Sequence, residues 1–164
     1  MRKRWLFLSL CLSLVALPAL ASDLDWSVIG SGGEIDEDCL TLYEYSGARV
    51  KFKSTATGTI TVRYPVSAYG NANGLQPPWD TMVLTAIDNS PLGSVSARLV
   101  SVNDCDGSET TICTVTGSGS PGCEVCTFSS TTINFESFAY YIEGTLTRSS
   151  TSADEQLIMV SLGY

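Results

Sequence analysis

The chain contains no histidine, and that absence excludes more chemistry than any residue adds. Without imidazole there is no Ser-His-Asp or Cys-His relay, and none of the usual His-bearing zinc or iron centres. Positive charge is also scarce: nine Lys and Arg stand against seventeen Asp and Glu, a formal net charge of −8. Such a balance argues against nucleic acid and against anionic lipid as partners. Beyond the N-terminal segment no apolar run approaches the ~18 residues of a membrane-spanning helix, so no membrane span is expected. Apolar residues with a helical period are missing as well.

What is present begins with a leader. Arg2, Lys3 and Arg4 form a positive start, Trp5 to Leu17 is apolar, and Pro18 breaks the run before Ala19-Leu20-Ala21. This is the pattern of a secretory signal peptide over residues 1–21, cleaved after Ala21, which places the mature chain in the periplasm or outside the cell. Cys11 leaves with it. Residues 22–164 are then one ordinary domain, long enough to bury roughly two thirds of its unfolded surface. That domain keeps six basic side chains against all seventeen acidic ones, a net charge of −11.

The mature sequence is written in short runs of Val, Ile, Thr, Ser and Tyr between Gly, Pro, Asn and Asp. Gly58 to Val66 is the clearest strand, with Ile60, Val62 and Tyr64 on one face and Thr59, Thr61 and Arg63 on the other. Further strands are expected at Trp26–Ile29, Cys39–Tyr45, Arg49–Lys53, Thr81–Asp88, Ser94–Val102, Thr110–Val115, Thr131–Phe135, Phe138–Thr147 and Gln156–Gly163. Ser54–Gly58 reads as a hairpin turn, Tyr69–Trp79 as a long loop, and Gly117–Cys126 as a Gly, Ser and Cys loop. The expected fold is all-β: a single antiparallel β-sandwich or jelly-roll-like domain of about nine or ten strands, with a cysteine-rich excursion at 103–126. Leu157 to Val160 is apolar on both faces, as a central strand covered on both sides would be.

Five cysteines remain after the leader, and an exported chain oxidises them by default. Cys105, Cys113, Cys123 and Cys126 crowd one excursion and are expected to form two bridges that pin it. Four cysteines allow three pairings; the local one, Cys105–Cys113 with Cys123–Cys126, is preferred here. Cys39 is then the odd thiol, buried or paired between chains. A four-thiolate zinc site and a redox-active Cys-x-x-Cys at Cys123–Cys126 are alternatives with poorer spacing and setting.

Oxygen ligands alternate through Asn103-Asp104-Cys105-Asp106-Gly107-Ser108-Glu109, so Asp104, Asp106 and Glu109 are the candidate ligands of a calcium ion; no other cofactor is expected. A solvated acidic turn is the plainer reading. Glu136 and Glu143 are the carboxylates a glycosidase would recruit, though no spacing singles out a pair. Trp79, Tyr69, Tyr140 and Tyr141 are aromatics that stack on sugars or fill cores.

Two stretches resemble a known family. They are Ala86-Ile87-Asp88-Asn89 followed by Gly93 to Val100, and Asn134-Phe135-Glu136 leading into Ala139-Tyr140-Tyr141-Ile142-Glu143-Gly144-Thr145-Leu146-Thr147-Arg148. Over about residues 45–164 the chain is similar to a family of exported bacterial β-sandwich proteins of unknown function, in which an Asp-Asn turn joins two strands and a Tyr-Tyr-Ile-Glu strand precedes the last one. The resemblance implies a sandwich and transfers no catalytic residue. The expected role is a non-enzymatic module that binds a protein or glycan surface, of unspecified oligomeric state. A calcium-assisted carbohydrate-binding module is the alternative, and a carboxylate hydrolase is the third reading.

Overall fold

The structure is a computed structural model that describes residues 25–67 and 76–164. The leader at 1–21 and the Tyr69–Leu75 part of the long loop lie outside the described residues. Within them are eleven strands: β1 (Trp26–Ile29), β2 (Glu34–Ile35), β3 (Tyr43–Ser46), β4 (Arg49–Phe52), β5 (Gly58–Val66), β6 (Thr81–Asp88), β7 (Gly93–Asn103), β8 (Glu109–Thr116), β9 (Gly119–Thr127), β10 (Phe138–Arg148) and β11 (Gln156–Gly163). They form two antiparallel sheets, one in the order β3-β4-β11-β6-β9 with β1 also on β11, the other β2-β5-β10-β7-β8. The expected β-sandwich is the fold found.

Alternation makes the core. Ile60, Val62 and Tyr64 of β5, Met82, Leu84 and Ala86 of β6, and Val95, Ala97 and Leu99 of β7 are all buried, and the residues between them are half-buried or, like Arg63, exposed. β11 departs from strict alternation. Its register slips between Leu157 and Met159, so the extra residue Ile158 lets both Leu157 and Val160 face inward. The apolar run at 157–160 therefore marks a bulge in a central strand, with Ile158 and Met159 only half-buried.

The chain mostly alternates between sheets rather than folding back on itself. Ser54–Gly58 carries it from β4 in one sheet to β5 in the other, so it is not a hairpin turn. The connection from Asp88 to Gly93 likewise crosses from β6 to β7. Within the described residues true hairpins join β3 to β4 and β7 to β8. The first has a two-residue loop, Gly47-Ala48, in which Gly47 takes φ 64°, a backbone state open to glycine without steric cost.

Three expected elements differ. Cys39–Tyr45 begins as a 3-10 turn over Glu37–Cys39, closed by Cys39 N–H on Asp36 O and Leu42 N–H on Cys39 O, and becomes strand only at Tyr43. Thr131–Phe135 contains a 3-10 turn at Ser130–Thr132, with Ser129 and Thr131 hydroxyls bonded to each other, and no strand. Gly117–Cys126, expected as a loop, is mostly strand β9.

Candidate functional site

β8 and β9 are the outermost strands of the two different sheets, and they lie beside each other at one open side of the sandwich. A disulfide joins them: Cys113 of β8 is bonded to Cys126 of β9. This corrects the preferred local pairing. Cys123 and Cys126 stand three apart on one extended strand, which separates them by ~10 Å and turns them to opposite faces. Cys105 sits in the turn before β8, eight residues ahead of Cys113 in the chain. Cys105 and Cys123 are free and exposed, with Cys123 Sγ 3.5 Å from Thr85 Oγ1. Cys39 is free and buried, its thiol donating to Thr59 O at 3.4 Å. Peptide mapping after alkylation should recover one cross-linked pair, Cys113 with Cys126, and alkylated Cys39, Cys105 and Cys123; a Cys123–Cys126 peptide would contradict this arrangement.

Immediately next to the bridge the two edges part into a cleft of about 550 Å³. One lip is Thr110, Thr111 and Ile112 of β8; the other is Thr127, Phe128, Ser129 and Thr132, the end of β9 and the turn after it. Ser101 of β7 and Phe138 and Tyr140 of β10 form the floor. Lip residues Ile112 and Thr127 are each the chain neighbour of a bridged cysteine, so the disulfide fixes how far apart the lips stand. The volume falls in the range of ligand sites. No charged side chain lines the cleft, in a chain where acids outnumber bases almost two to one.

The floor is rigid. Tyr140 is buried, and its hydroxyl accepts from Asn134 N–H at 2.7 Å and donates to Thr132 O at 3.1 Å, tying the second lip to β10. Burial raises its pKa, so it stays a neutral phenol. Its ring meets Phe135 edge-on at 4.9 Å, and Phe135 meets Trp79 at 6.3 Å. Ser101 Oγ donates to Thr110 O at 3.3 Å. Phe128 and Phe138 remain half-buried, each with ring surface toward the opening.

No family model matches this chain, and no curated protein does. Among solved structures it is similar to a family 11 carbohydrate-binding module from Clostridium thermocellum, in complex with a β-1,3-1,4-mixed-linked tetrasaccharide. The match has a TM-score of 0.38 and 8% identity, and covers 84% of this chain and 87% of that one. At that level it carries no argument about this chain.

The sequence-derived candidates fall elsewhere. Asn103 Oδ1 accepts from Cys105 N–H and Asp106 Oδ1 from Ser108 N–H, both at 2.8 Å, which are turn-closing bonds. Hydrogen bonds from the Ser108 hydroxyl and the Ser108 N–H hold the Asp106 carboxyl below its ordinary pKa. Glu109 is engaged with Tyr141, whose pKa rises through burial and that hydrogen bond. Asp104, Asp106 and Glu109 are thus not drawn to one point, and among the described residues no three Asp, Glu or Cys side chains are grouped as metal ligands. Glu143 lies on the outer face of its sheet between Arg63 and Arg98, with Oε2 3.3 Å from Arg63 Nε and Oε1 2.8 Å from Arg98 Nε. Asp36 continues this row on the far side of Arg63. Both Glu143 oxygens are therefore committed, and Glu136 stands apart from it in the exposed loop before β10. Trp79 and Tyr140 are core residues, and Tyr141 is half-buried against the charged row. Tyr69 lies outside the described residues.

Phe128, Phe138 and Ile112 were not singled out by sequence. The available signal was Thr127-Phe128-Ser129-Ser130-Thr131-Thr132, one aromatic isolated in a run of hydroxyls.

Proposed function

We propose that the protein is an exported, non-enzymatic binding module that takes a segment of neutral glycan in the cleft between β8 and β9. The observation that carries this reading is the lining: hydroxyls of Ser and Thr on both lips, two half-buried phenylalanine rings, and no charge. Sugars present the matching chemistry, an apolar ring face for an aromatic and hydroxyls for neutral donors and acceptors. An anionic ligand would meet no cation there and the acidic field of the whole chain. The rigid floor and the Cys113–Cys126 clamp favour a site formed before the ligand arrives.

A glycan array of neutral and acidic oligosaccharides, followed by calorimetry on the hits, tests the proposal. Neutral glycans should bind and sulfated or uronic ones should not. Phe128→Ala and Phe138→Ala should each weaken binding about tenfold, the loss expected of one stacked ring, with each variant still folded as judged by a cooperative thermal melt. Binding that survives both substitutions would place the ligand elsewhere and defeat this reading.

A further inference from the structure

Opposite in character to the neutral cleft is a buried acidic spot at another end of the sandwich. Glu155, the residue before β11, is 1% exposed, and neither of its carboxylate oxygens has a hydrogen-bond partner. Its carboxyl fills the space under Gly93 at the start of β7. The position a Cβ would take on Gly93 lies 2.4 Å from Glu155 Oε1 and 2.5 Å from the main-chain oxygen of Thr147. Both oxygens thus approach one point, and the Glu155 carboxylate has no donor there, an arrangement that a buried charge does not tolerate unfilled.

Local charge sharpens the point. Ile87 pairs with Gln156 across the β6–β11 ladder, so Asp88 at the end of β6 stands opposite Glu155; Asp154 is beside it in the chain, and Arg148 ends β10. Three carboxylates and one guanidinium leave a local charge of −2. Arg148 does not relieve it by contact, because its N–H groups go to the carbonyls of Lys53, Ser54, Ser150 and Thr151. Asp154 is occupied with Gln156 Nε2, both oxygens at 2.8 Å. Asp88 uses Oδ2 on Val95 N–H at 3.2 Å, and Oδ1 remains for another partner.

We infer that Glu155, with Asp88 and the Thr147 carbonyl, forms a buried site for one divalent cation, best suited to calcium. Two carboxylates and a main-chain oxygen, completed by water, are the donor set calcium accepts at flexible geometry, and its charge of +2 cancels the local −2. An open groove lined by Leu92, Gly93, Thr147 and Ser149 brings solvent to the Gly93 backbone that covers the Glu155 carboxyl. The ion would tie the β6–β7 connection to the β10–β11 connection and so join the two sheets.

The test is calcium titration of the EDTA-treated full chain, by calorimetry and thermal melting. One calcium should bind per chain, and at a hundredfold excess over Kd the melting temperature should rise by about 5 °C or more. Glu155→Gln should abolish both effects while melting no lower than the calcium-free parent, since it removes a buried charge. Asp88→Asn should weaken binding at least tenfold. The pair Asp104→Asn with Asp106→Asn should leave the response intact. No binding by a parent shown to be metal-free, or undiminished binding by Glu155→Gln, would overturn the inference; in the first case a protonated Glu155 facing Thr147 O takes its place.

Discussion

Gly30→Ala should lower stability by about 3 kcal/mol, the upper end of what overpacking costs, because nothing near it is free to give way. Gly30 follows β1 and is buried against the first residues of β11. A Cβ there would sit 2.1 Å from the Leu157 carbonyl oxygen and 3.1 Å from that of Ala48. Both are main-chain atoms. This is the point where β11 changes partners along one edge, from β4 at Gln156–Leu157 to β1 at Met159–Leu162. The chain must pass between them, and Gly30 O also accepts the buried Tyr64 hydroxyl at 2.8 Å. Gly47→Ala is the control. Its position has φ 64° but nothing within 4 Å, so its cost is that of the backbone state alone, ~1 kcal/mol. Urea midpoints at constant m-value should show Gly30→Ala much the worse of the two. Equal midpoints would mean that β11 moves aside easily.

The strands that are legible in the sequence are those whose alternation meets a buried face on one side and water on the other. β5, β6 and β10 meet that condition over eight or more residues, and their bounds were expected nearly where they fall. β9 is the opposite case. Gly119-Ser120-Pro121-Gly122-Cys123 has almost no intrinsic preference for a strand. It becomes one because it lies on the edge of β6, where Pro121 falls in a register irregularity between Gly119 and Gly122 and no ladder donor is lost. The bridge from Cys126 to β8 holds it there. Tertiary contact, rather than propensity, makes this strand.

The candidate site was hidden for a related reason. Its residues come from positions near 101, 111, 128 and 139, and only the assignment of β8 and β9 to different sheets brings them to one opening. The cysteine pairing depends on the same assignment. Local spacing favoured bonds within the excursion, whereas the actual bond spans the two sheet edges. The aromatics noticed in the sequence were large and conspicuous, and two of them, Trp79 and Tyr140, are the support beneath the cleft rather than its open surface. The free surface belongs to Phe128 and Phe138, whose half-burial no local pattern encodes.

Arg148→Ala should cost about 3–5 kcal/mol, the range for removing one member of a buried charged network. Arg148 ends β10 with 7% exposure, its guanidinium 5.6 Å from the centre of the Phe52 ring. Nζ-like freedom is absent here: the planar group donates to Ser150 O at 3.0 Å and Lys53 O at 3.1 Å, and also reaches Ser54 O and Thr151 O. It thereby fastens the β4–β5 connection and the β10–β11 connection to the end of the core. Truncation strands those carbonyls and leaves Glu155 with no opposing charge. Arg148→Met separates the contributions. It keeps an apolar stem over Phe52 but makes none of the bonds, so most of the loss should persist. Full recovery by methionine would assign the effect to packing instead. If the charges also matter to each other, adding Glu155→Gln to Arg148→Met should restore more stability than Glu155→Gln gives the parent, measured in EDTA so that no bound ion contributes. Strict additivity would show that the two buried charges, although neighbours, are held independently by their own surroundings.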